Sequence, residues 1–153
     1  ISSAAVSNPD LLNEISSTWG AQVLVLSLDA QANTAMPSGY EVMIKGGKEG
    51  TGMDAIAWVK EVEERGVGEI LINSIDADGT RDGFDLDMIR AVRAAVSVPL
   101  IASGGAGEPA HFPPAIEAGA QAVLAASLFH YGPDDMISQV KDAIEAAGFT
   151  VRR

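Results

Sequence analysis

An acidic residue closes each of two apolar segments, and acids in such positions are candidates for proton transfer. Asp29 ends the segment Gln22–Asp29 (QVLVLSLD), and the segment Glu69–Asp76 (EILINSID) leads into the turn Asp76–Thr80 (DADGT). A carboxylate at the end of a buried strand is costly unless it has a partner or a purpose. We therefore take Asp29 as the candidate for proton transfer, with capping or bracing of a loop as the alternative. The acids of the turn are equally compatible with a bracing role.

Two further segments end in sequences that suit an anion. Pro99–Ser103 runs into the glycine-rich turn Ser103–Gly107 (SGGAG), and Gln121–Ser127 ends at Ala126 and Ser127, which open a very short helix. Glycines let main-chain N–H groups approach an anion closely. A phosphate site made of two neighbouring loops and a short helix recurs in α/β barrels. The two segments together therefore favour phosphate binding over a simple tight turn.

These residues need a scaffold that brings the strand ends together. Apolar segments alternate with amphipathic ones in the order α-β-α-β-α-β-α-β-α, which favours a parallel sheet, either in a barrel or in an open doubly wound fold. The continuous apolar character of the strands predicts burial of the sheet on both faces. Ser38–Gly52 (SGYEVMIKGGKEGTG) interrupts the alternation and is interpreted as an inserted hairpin with a Gly-Gly turn. The predicted helices are Asn8–Ser17, with Asn8 as N-cap, Asp54–Arg65, Asp85–Ala95, Pro109–Ala118 and Asp134–Ala147.

Composition excludes several classes of protein. The 153 residues, 47% of them hydrophobic, supply enough apolar material for one compact domain or for part of a larger one. A net charge of −11 argues against nucleic acid, and no apolar run reaches the roughly 18–20 residues that span a bilayer. The absence of Cys excludes thiolate sites and is compatible with the cytoplasm, where we place the protein. His111 and His130 stand apart from other ligand-type residues, so we predict no metal site, and we expect Trp19 and Trp58 to serve apolar packing.

Three stretches carry a resemblance to a known family: Gly68–Arg93 (GEILINSIDADGTRDGFDLDMIRAVR), Val98–Gly107 (VPLIASGGAG) and Ala122–His130 (AVLAASLFH). They resemble the cyclase subunit of imidazole glycerol phosphate synthase, and the resemblance covers nearly the whole chain. It implies a (β/α)8 TIM barrel that acts as a lyase of histidine biosynthesis. The substrates would be ammonia and a ribonucleotide with two phosphates, N′-phosphoribulosyl-formimino-aminoimidazole carboxamide ribotide. The products would be imidazole glycerol phosphate and aminoimidazole carboxamide ribotide.

The resemblance also implies a partner and roles for single residues. A glutaminase subunit would dock at the amino-terminal face of the barrel and supply ammonia, with no metal or organic cofactor. Asp29 matches one of two catalytic aspartates that give and accept protons, and Glu69 matches an acidic residue of the gate through which ammonia enters. Substrate- and phosphate-binding positions are matched by Asn73, Asp76, Asp78, Gly79, Ser103, Gly104, Gly105, Ala126 and Ser127, and by Ser2 and Ser3, which fall where the family usually has Asn and Thr or Ser in a second phosphate site.

The match begins at the end of the fourth strand of the family's barrel. The resemblance therefore implies that residues 1–153 form one carboxyl-terminal half-barrel of about four βα units, with the hairpin inserted near residues 38–52. Because the other catalytic aspartate would lie outside it, such a unit is expected to be inactive alone. Two alternatives stay open. One is the sister isomerase of the same pathway, which shares the barrel and the phosphate turns, and the other is a non-catalytic, phosphate-binding half-barrel that self-associates through open strand edges.

Overall fold

A mixed α/β sheet forms the scaffold of the molecule. The computed structural model describes residues 1–152, and its strands are β1 (Val25–Ala32), β2 (Tyr40–Ile44), β3 (Glu49–Asp54), β4 (Glu69–Ser74), β5 (Leu100–Ser103) and β6 (Ala122–Leu124). They lie in the order β3–β2–β1–β4–β5–β6. Strands β1, β4, β5 and β6 run parallel, and the hairpin of β2 and β3 extends one edge antiparallel. Parallel strands joined by helices are the arrangement of the TIM-barrel family.

The helices follow the predicted amphipathic segments, with shifts of a few residues at their ends. Short 3-10 turns at Ala21–Val23 and Pro109–His111 precede β1 and the fifth helix. The very short helix predicted after the last strand is confirmed as α6. The helices are α1 (Ser3–Ser7), α2 (Asp10–Trp19), α3 (Ala55–Glu64), α4 (Leu86–Ala95), α5 (Phe112–Glu117), α6 (Ser127–Tyr131) and α7 (Met136–Ala146).

Two predictions about α2 are wrong. Asn8 does not cap it with its side chain, because Asn8 already closes α1, where its N–H donates to the Ala4 carbonyl oxygen. The helix begins at Asp10, behind Pro9. Trp19, the last residue of α2, does not pack in the core, since 68% of it is exposed.

The sheet is buried on one face only, so the prediction of burial on both faces is wrong. In β4, Ile70 and Ile72 are buried, whereas Leu71 and Asn73 between and after them are partly exposed, and β1 and β5 show the same alternation. The buried face joins one core with the helices, whose largest contributions come from Leu12, Trp58, Val62, Met88, Val92, Phe112 and Ile144. The opposite face stays accessible, and Asp29, Asn73 and Ser103 lie on it.

The hairpin carries β1 beyond the end predicted at Asp29. The strand continues to Ala32 because Asp29 pairs with Met43, and Ala32 with Tyr40, both in β2. Asp29 therefore sits inside an eight-residue strand, but its parallel neighbour β4 ends shortly after this level. The hairpin thus supports the backbone around Asp29 from the side opposite β4.

Asp54 ties the hairpin to the following helix. As N-cap of α3 it accepts hydrogen bonds from the N–H groups of Ile56 (3.0 Å) and Ala57 (2.9 Å), and its other oxygen accepts one from Ser38 N–H (2.7 Å). Burial alone raises the pKa of this carboxyl group, but the hydrogen bonds outweigh burial and hold the pKa below its usual 3.8. The ionised form of Asp54 therefore stabilises the fold.

We expect Asp54→Ala to lower the free energy of unfolding by about 2 kcal/mol, since it removes a helix cap and one further hydrogen bond. Because the pKa is lowered in the folded state, this stabilisation is present above the unfolded-state pKa and is lost as pH falls through the folded-state pKa. In Asp54→Asn, the free energy of unfolding should therefore fall less than in the wild type as pH drops below about 4. Urea unfolding of the wild type and both variants at neutral and acid pH measures this. An unchanged midpoint for Asp54→Ala would contradict it.

Candidate active site

Parallel pairing brings polar side chains into one row on the accessible face of the sheet. The register pairs Asp29 of β1 with Asn73 of β4, Asn73 with Ser103 of β5, and Ser103 with Leu124 of β6. Residues paired across a sheet point to the same face. Three residues predicted for the site, far apart in the sequence, therefore lie side by side.

Asn73 orients the carboxylate of Asp29. The Nδ2 of Asn73 donates to Oδ1 of Asp29 at 3.1 Å, and within residues 1–152 no cation forms an ion pair with this acid. The amide fixes the direction of the carboxylate, and Oδ2 of Asp29 has no hydrogen-bond partner in the described chain. A neutral donor holds the group in place without competing for its charge, which suits a residue that gives and takes protons.

At Gly104 and Gly105, the turn Ser103–Gly107 packs against its neighbours too closely for a side chain. Gly104 has φ +93°, and a Cβ there would lie 2.8 Å from the carbonyl oxygen of Ser74. Gly105 has φ +98°, and its Cβ would overlap the carbonyl oxygen of Gly83, whose N–H donates to the carbonyl oxygen of Gly105 at 2.9 Å. The turn is thus fixed in shape, and its buried residues Gly104 and Gly105 line the cleft beside Ser103.

The two histidines make local contacts away from Asp29. Nδ1 of His111 accepts the N–H of Gly107 at 3.1 Å, which braces the end of the glycine-rich turn. His130 lies on α6 at the surface, with its ring 4.7 Å from the ring of Tyr131. Within residues 1–152, neither histidine ring contacts Asp29.

A cleft of about 440 Å³ opens on the accessible face. It brings together most of the predicted substrate-binding residues, and it also collects residues that the sequence did not single out. Predicted residues in its lining are Asp29, Asn73, Asp78, Gly79, Ser103, Gly104, Gly105, Ala126 and Ser127, and the further ones are Ser27, Leu71, Arg81, Ala106, Leu124 and Ala125.

Four predicted site residues lie outside this cleft. Asp76 braces β1 instead: its Oδ2 accepts the N–H of Ala32 at 2.7 Å and its Oδ1 accepts Nε2 of Gln31 at 3.4 Å. Both its oxygens are therefore engaged in holding the strand that carries Asp29. Ser2 and Ser3 lie at the start of α1, where Oγ of Ser3 accepts the N–H of Lys45 at 3.2 Å. Glu69 begins β4, at the opposite end of the strand from Asn73.

Some of the missed residues left a signal in the sequence. Ser27 lies two residues before Asp29, and the two-residue period of a strand puts both side chains on one face. Arg81 directly follows the DADGT turn, and its place beside the predicted residues Asp78 and Gly79 is the signal that could have found it. Ser74, which is buried and donates to Asp85 at 3.2 Å, gave no signal, because its partner is fixed by the fold of the intervening loop.

The described residues offer no three His, Cys, Asp or Glu side chains close enough to hold a metal ion. Across residues 1–152 there is also no helix with the length and apolar content to cross a membrane. The cleft itself combines one oriented carboxylate with a glycine-rich turn whose main chain can approach an anion. This arrangement can hold a phosphate and transfer a proton a short distance away.

Comparison with known proteins identifies the family. The model of a family described as histidine biosynthesis protein matches residues 1–135. Similar proteins named imidazole glycerol phosphate synthase subunit HisF occur in Pseudarthrobacter chlorophenolicus (67% identity), Paenarthrobacter aurescens (65%) and Thermobifida fusca (58%). Each alignment covers 99% of this chain and 60% of the relative, so the chain spans about three fifths of the length of the curated relatives it matches. The family model covers well over half of the chain, and the chain therefore belongs to the histidine biosynthesis protein family.

Proposed function

We propose that this chain carries the catalytic cleft of an imidazole glycerol phosphate synthase cyclase. In this reaction ammonia and N′-phosphoribulosyl-formimino-aminoimidazole carboxamide ribotide give imidazole glycerol phosphate and aminoimidazole carboxamide ribotide. The observation that carries the proposal is the position of Asp29 in one cleft with Gly104, Gly105 and Ser127. The relatives, at 58–67% identity, are named as subunits of this synthase.

Each part of the cleft has a task in that reaction. Asp29 gives and accepts protons as the imine forms and the ring closes, and Asn73 keeps its carboxylate directed into the cleft. The main chain of Gly104 and Gly105, with Ala126 and Ser127, holds one phosphate of the substrate. Binding that phosphate places the reacting atoms at a constant distance from the acid.

We assign residues 1–153 to a carboxyl-terminal half-barrel within a (β/α)8 barrel. The accessible face of the sheet supports this, because side chains such as Leu71 and the 40%-exposed Leu124 would meet those of opposing strands inside a closed barrel. Ser2 and Ser3, which do not line the cleft of Asp29, belong in this assignment to a second phosphate site. With one of two catalytic aspartates, the chain alone should not turn over substrate.

A partner fits the other end of the parallel strands. Glu69 opens β4 there and pairs in register with Val25, the first residue of β1. Two large apolar residues that precede β1 are exposed, Trp19 at the end of α2 (68%) and Val23 in the 3-10 turn (56%). Exposed Trp is typical of binding surfaces. We place the glutaminase subunit on this face, with Glu69 in the gate for ammonia.

Trp19→Ala should weaken binding to the glutaminase subunit at least tenfold, because it removes the largest exposed apolar side chain of that face. The matched control is Tyr131→Ala, an exposed aromatic on α6 beyond the opposite ends of the strands, which should leave the affinity unchanged. Calorimetric titration of the glutaminase subunit with each variant measures both affinities. Equal losses for the two variants would remove the surface around Trp19 from the interface.

A chimera tests the activity in cells. This chain replaces the matching segment of the Pseudarthrobacter relative, and the chimera is expressed in bacteria that require histidine because their own cyclase subunit is deleted. Growth without histidine supports the proposal. If the chimera instead restores growth to a strain that lacks the sister isomerase, the proposed function changes from cyclase to isomerase. An expressed, folded chimera that rescues neither strain would contradict both.

The accessible face also favours a second candidate, a non-catalytic half-barrel that self-associates through this face and the edge strand β6. Two measurements together distinguish the candidates: light scattering, which gives the oligomeric state of the 153-residue chain, and the activity of the chimera. A dimer of the chain and an inactive chimera would favour the second candidate, whereas an active chimera would favour the cyclase whatever the state of the isolated chain.

A further inference from the structure

Arg81 has a backbone conformation that an arginine adopts at a cost. Its φ is +66°, and the other non-glycine residue with positive φ in residues 1–152 is Lys45, which lies in the turn of the hairpin between β2 and β3. The left-handed region costs an L-residue with a side chain about 1–2 kcal/mol. Such strain is found where the surrounding structure fixes a residue for a purpose, and Arg81 borders the cleft.

Contacts with the glycine-rich turn fix Arg81 in this conformation. A Cβ on Gly107 would overlap the carbonyl oxygen of Arg81, so the two main chains lie in close contact. Two residues further on, the N–H of Gly83 bonds to the carbonyl oxygen of Gly105 at 2.9 Å. On the preceding side, Oγ1 of Thr80 accepts the N–H of Asp82 at 3.2 Å and spans the backbone of Arg81. The position of Arg81 relative to Gly105 is therefore set by the fold.

The cleft is lined by more acidic residues than basic ones. Among the described residues that line the cleft, Asp29 and Asp78 are acidic and Arg81 is the one cation. Arg81 forms no ion pair with any carboxylate of residues 1–152, although the chain has 21 acidic residues. Arg81 also borders a smaller hollow of about 110 Å³ beside Ser127 and Gly107. A guanidinium group there is thus free for an external anion and adjoins the predicted phosphate-binding residues.

We propose that Arg81 is a substrate-binding residue that contacts the oxygens of the phosphate held by Gly105 and Ser127. The inference rests on the proposed function, and it adds a cation to a site otherwise made of main chain and hydroxyl groups. A phosphate near two carboxylates is repelled by them, and a guanidinium offsets this with paired, charge-assisted hydrogen bonds.

Binding of inorganic phosphate to the 153-residue chain, followed by the amide NMR signals of Gly105 and Ser127, tests the assignment. Arg81→Gln, which keeps a polar side chain and the backbone strain of the residue but not the charge, should raise the dissociation constant about tenfold or more and flatten its dependence on salt. Arg81→Lys should lose less affinity than Arg81→Gln, because it keeps the charge but not the paired hydrogen bonds. The control Arg90→Gln removes the same charge from the surface of α4 and should change nothing.

The outcomes separate this inference from the proposed function. Phosphate binding by Arg81→Gln as tight as by the wild type would overturn the role of Arg81 and leave the cyclase proposal intact. A wild-type chain in which phosphate shifts neither Gly105 nor Ser127 would overturn the role and the phosphate site together. If Arg81→Gln melts well below the wild type, Arg81→Asn replaces it, since Asn tolerates positive φ. Loss of affinity in Arg81→Lys equal to that in the neutral variants would indicate a merely structural residue and would contradict the proposal.

Discussion

Asp29→Asn in the purified chimera should lower kcat by a factor of about 10² to 10⁴ and change KM little. Asparagine has the size of aspartate and can still accept the hydrogen bond from Nδ2 of Asn73, so the shape of the cleft is kept. It cannot take up or release a proton at the pH of the assay. The loss therefore falls on the chemical steps and not on binding.

Steady-state kinetics with ammonium as the nitrogen source measures this effect. Asp87→Asn is the control, because it removes a carboxylate from the surface of α4, where Asp87 pairs with Arg90. The control should keep the activity of the parent. Asp29→Asn with kcat within a factor of about three of the parent would remove Asp29 from proton transfer, since a general acid or base contributes more than that.

Gly105→Ala should destabilise the fold and abolish phosphate binding. The residue has φ +98°, and the new Cβ would overlap the carbonyl oxygen of Gly83. The loop of Gly83 would have to move and give up its hydrogen bond to Gly105. Backbone strain together with the lost hydrogen bond gives an expected loss of about 2–4 kcal/mol in the free energy of unfolding.

Gly39→Ala is a matched control for this variant. Gly39 also has positive φ, at +82°, but no atom lies within 4 Å of a Cβ built there. The control carries the backbone strain without the overlap, so it should cost only about 1 kcal/mol and leave phosphate binding unchanged. Urea unfolding and a phosphate titration compare the two. Equal losses of stability would show that the contact with Gly83 contributes nothing.

The order of elements and the chemistry of the strand ends could be read from the sequence, because both depend on local pattern. Apolar segments that end in Asp29, Asp76 and Ser103 mark the carboxyl edge of a parallel sheet, whereas Asn73 was assigned through the resemblance. The register aligns Asp29, Asn73 and Ser103. The glycine-rich turn was recognised for the same reason. The contacts that demand its glycines are made with Ser74 and Gly83, which the fold brings to the turn.

Features that depend on contacts between residues far apart in the chain could not be predicted from the sequence. Apolar composition cannot show whether a sheet has a second covering layer, so the one-sided burial of β4 was missed. Asp76 is acidic and next to the site, but Ala32 and Gln31 engage it from another strand. Trp19 is apolar and helical, yet it projects from the end of α2. In each case the partner, or its absence, is determined by the tertiary fold.

The fate of nitrogen tests the central claim most directly. The purified chimera is given ¹⁵N-labelled ammonium and N′-phosphoribulosyl-formimino-aminoimidazole carboxamide ribotide, and the products are analysed by mass spectrometry. A cyclase cleft predicts that the label enters the ring of imidazole glycerol phosphate, with aminoimidazole carboxamide ribotide formed unlabelled beside it. Unlabelled products, or substrate recovered unchanged from a folded chimera that binds phosphate, would contradict the assignment of this cleft to ammonia-dependent cyclisation.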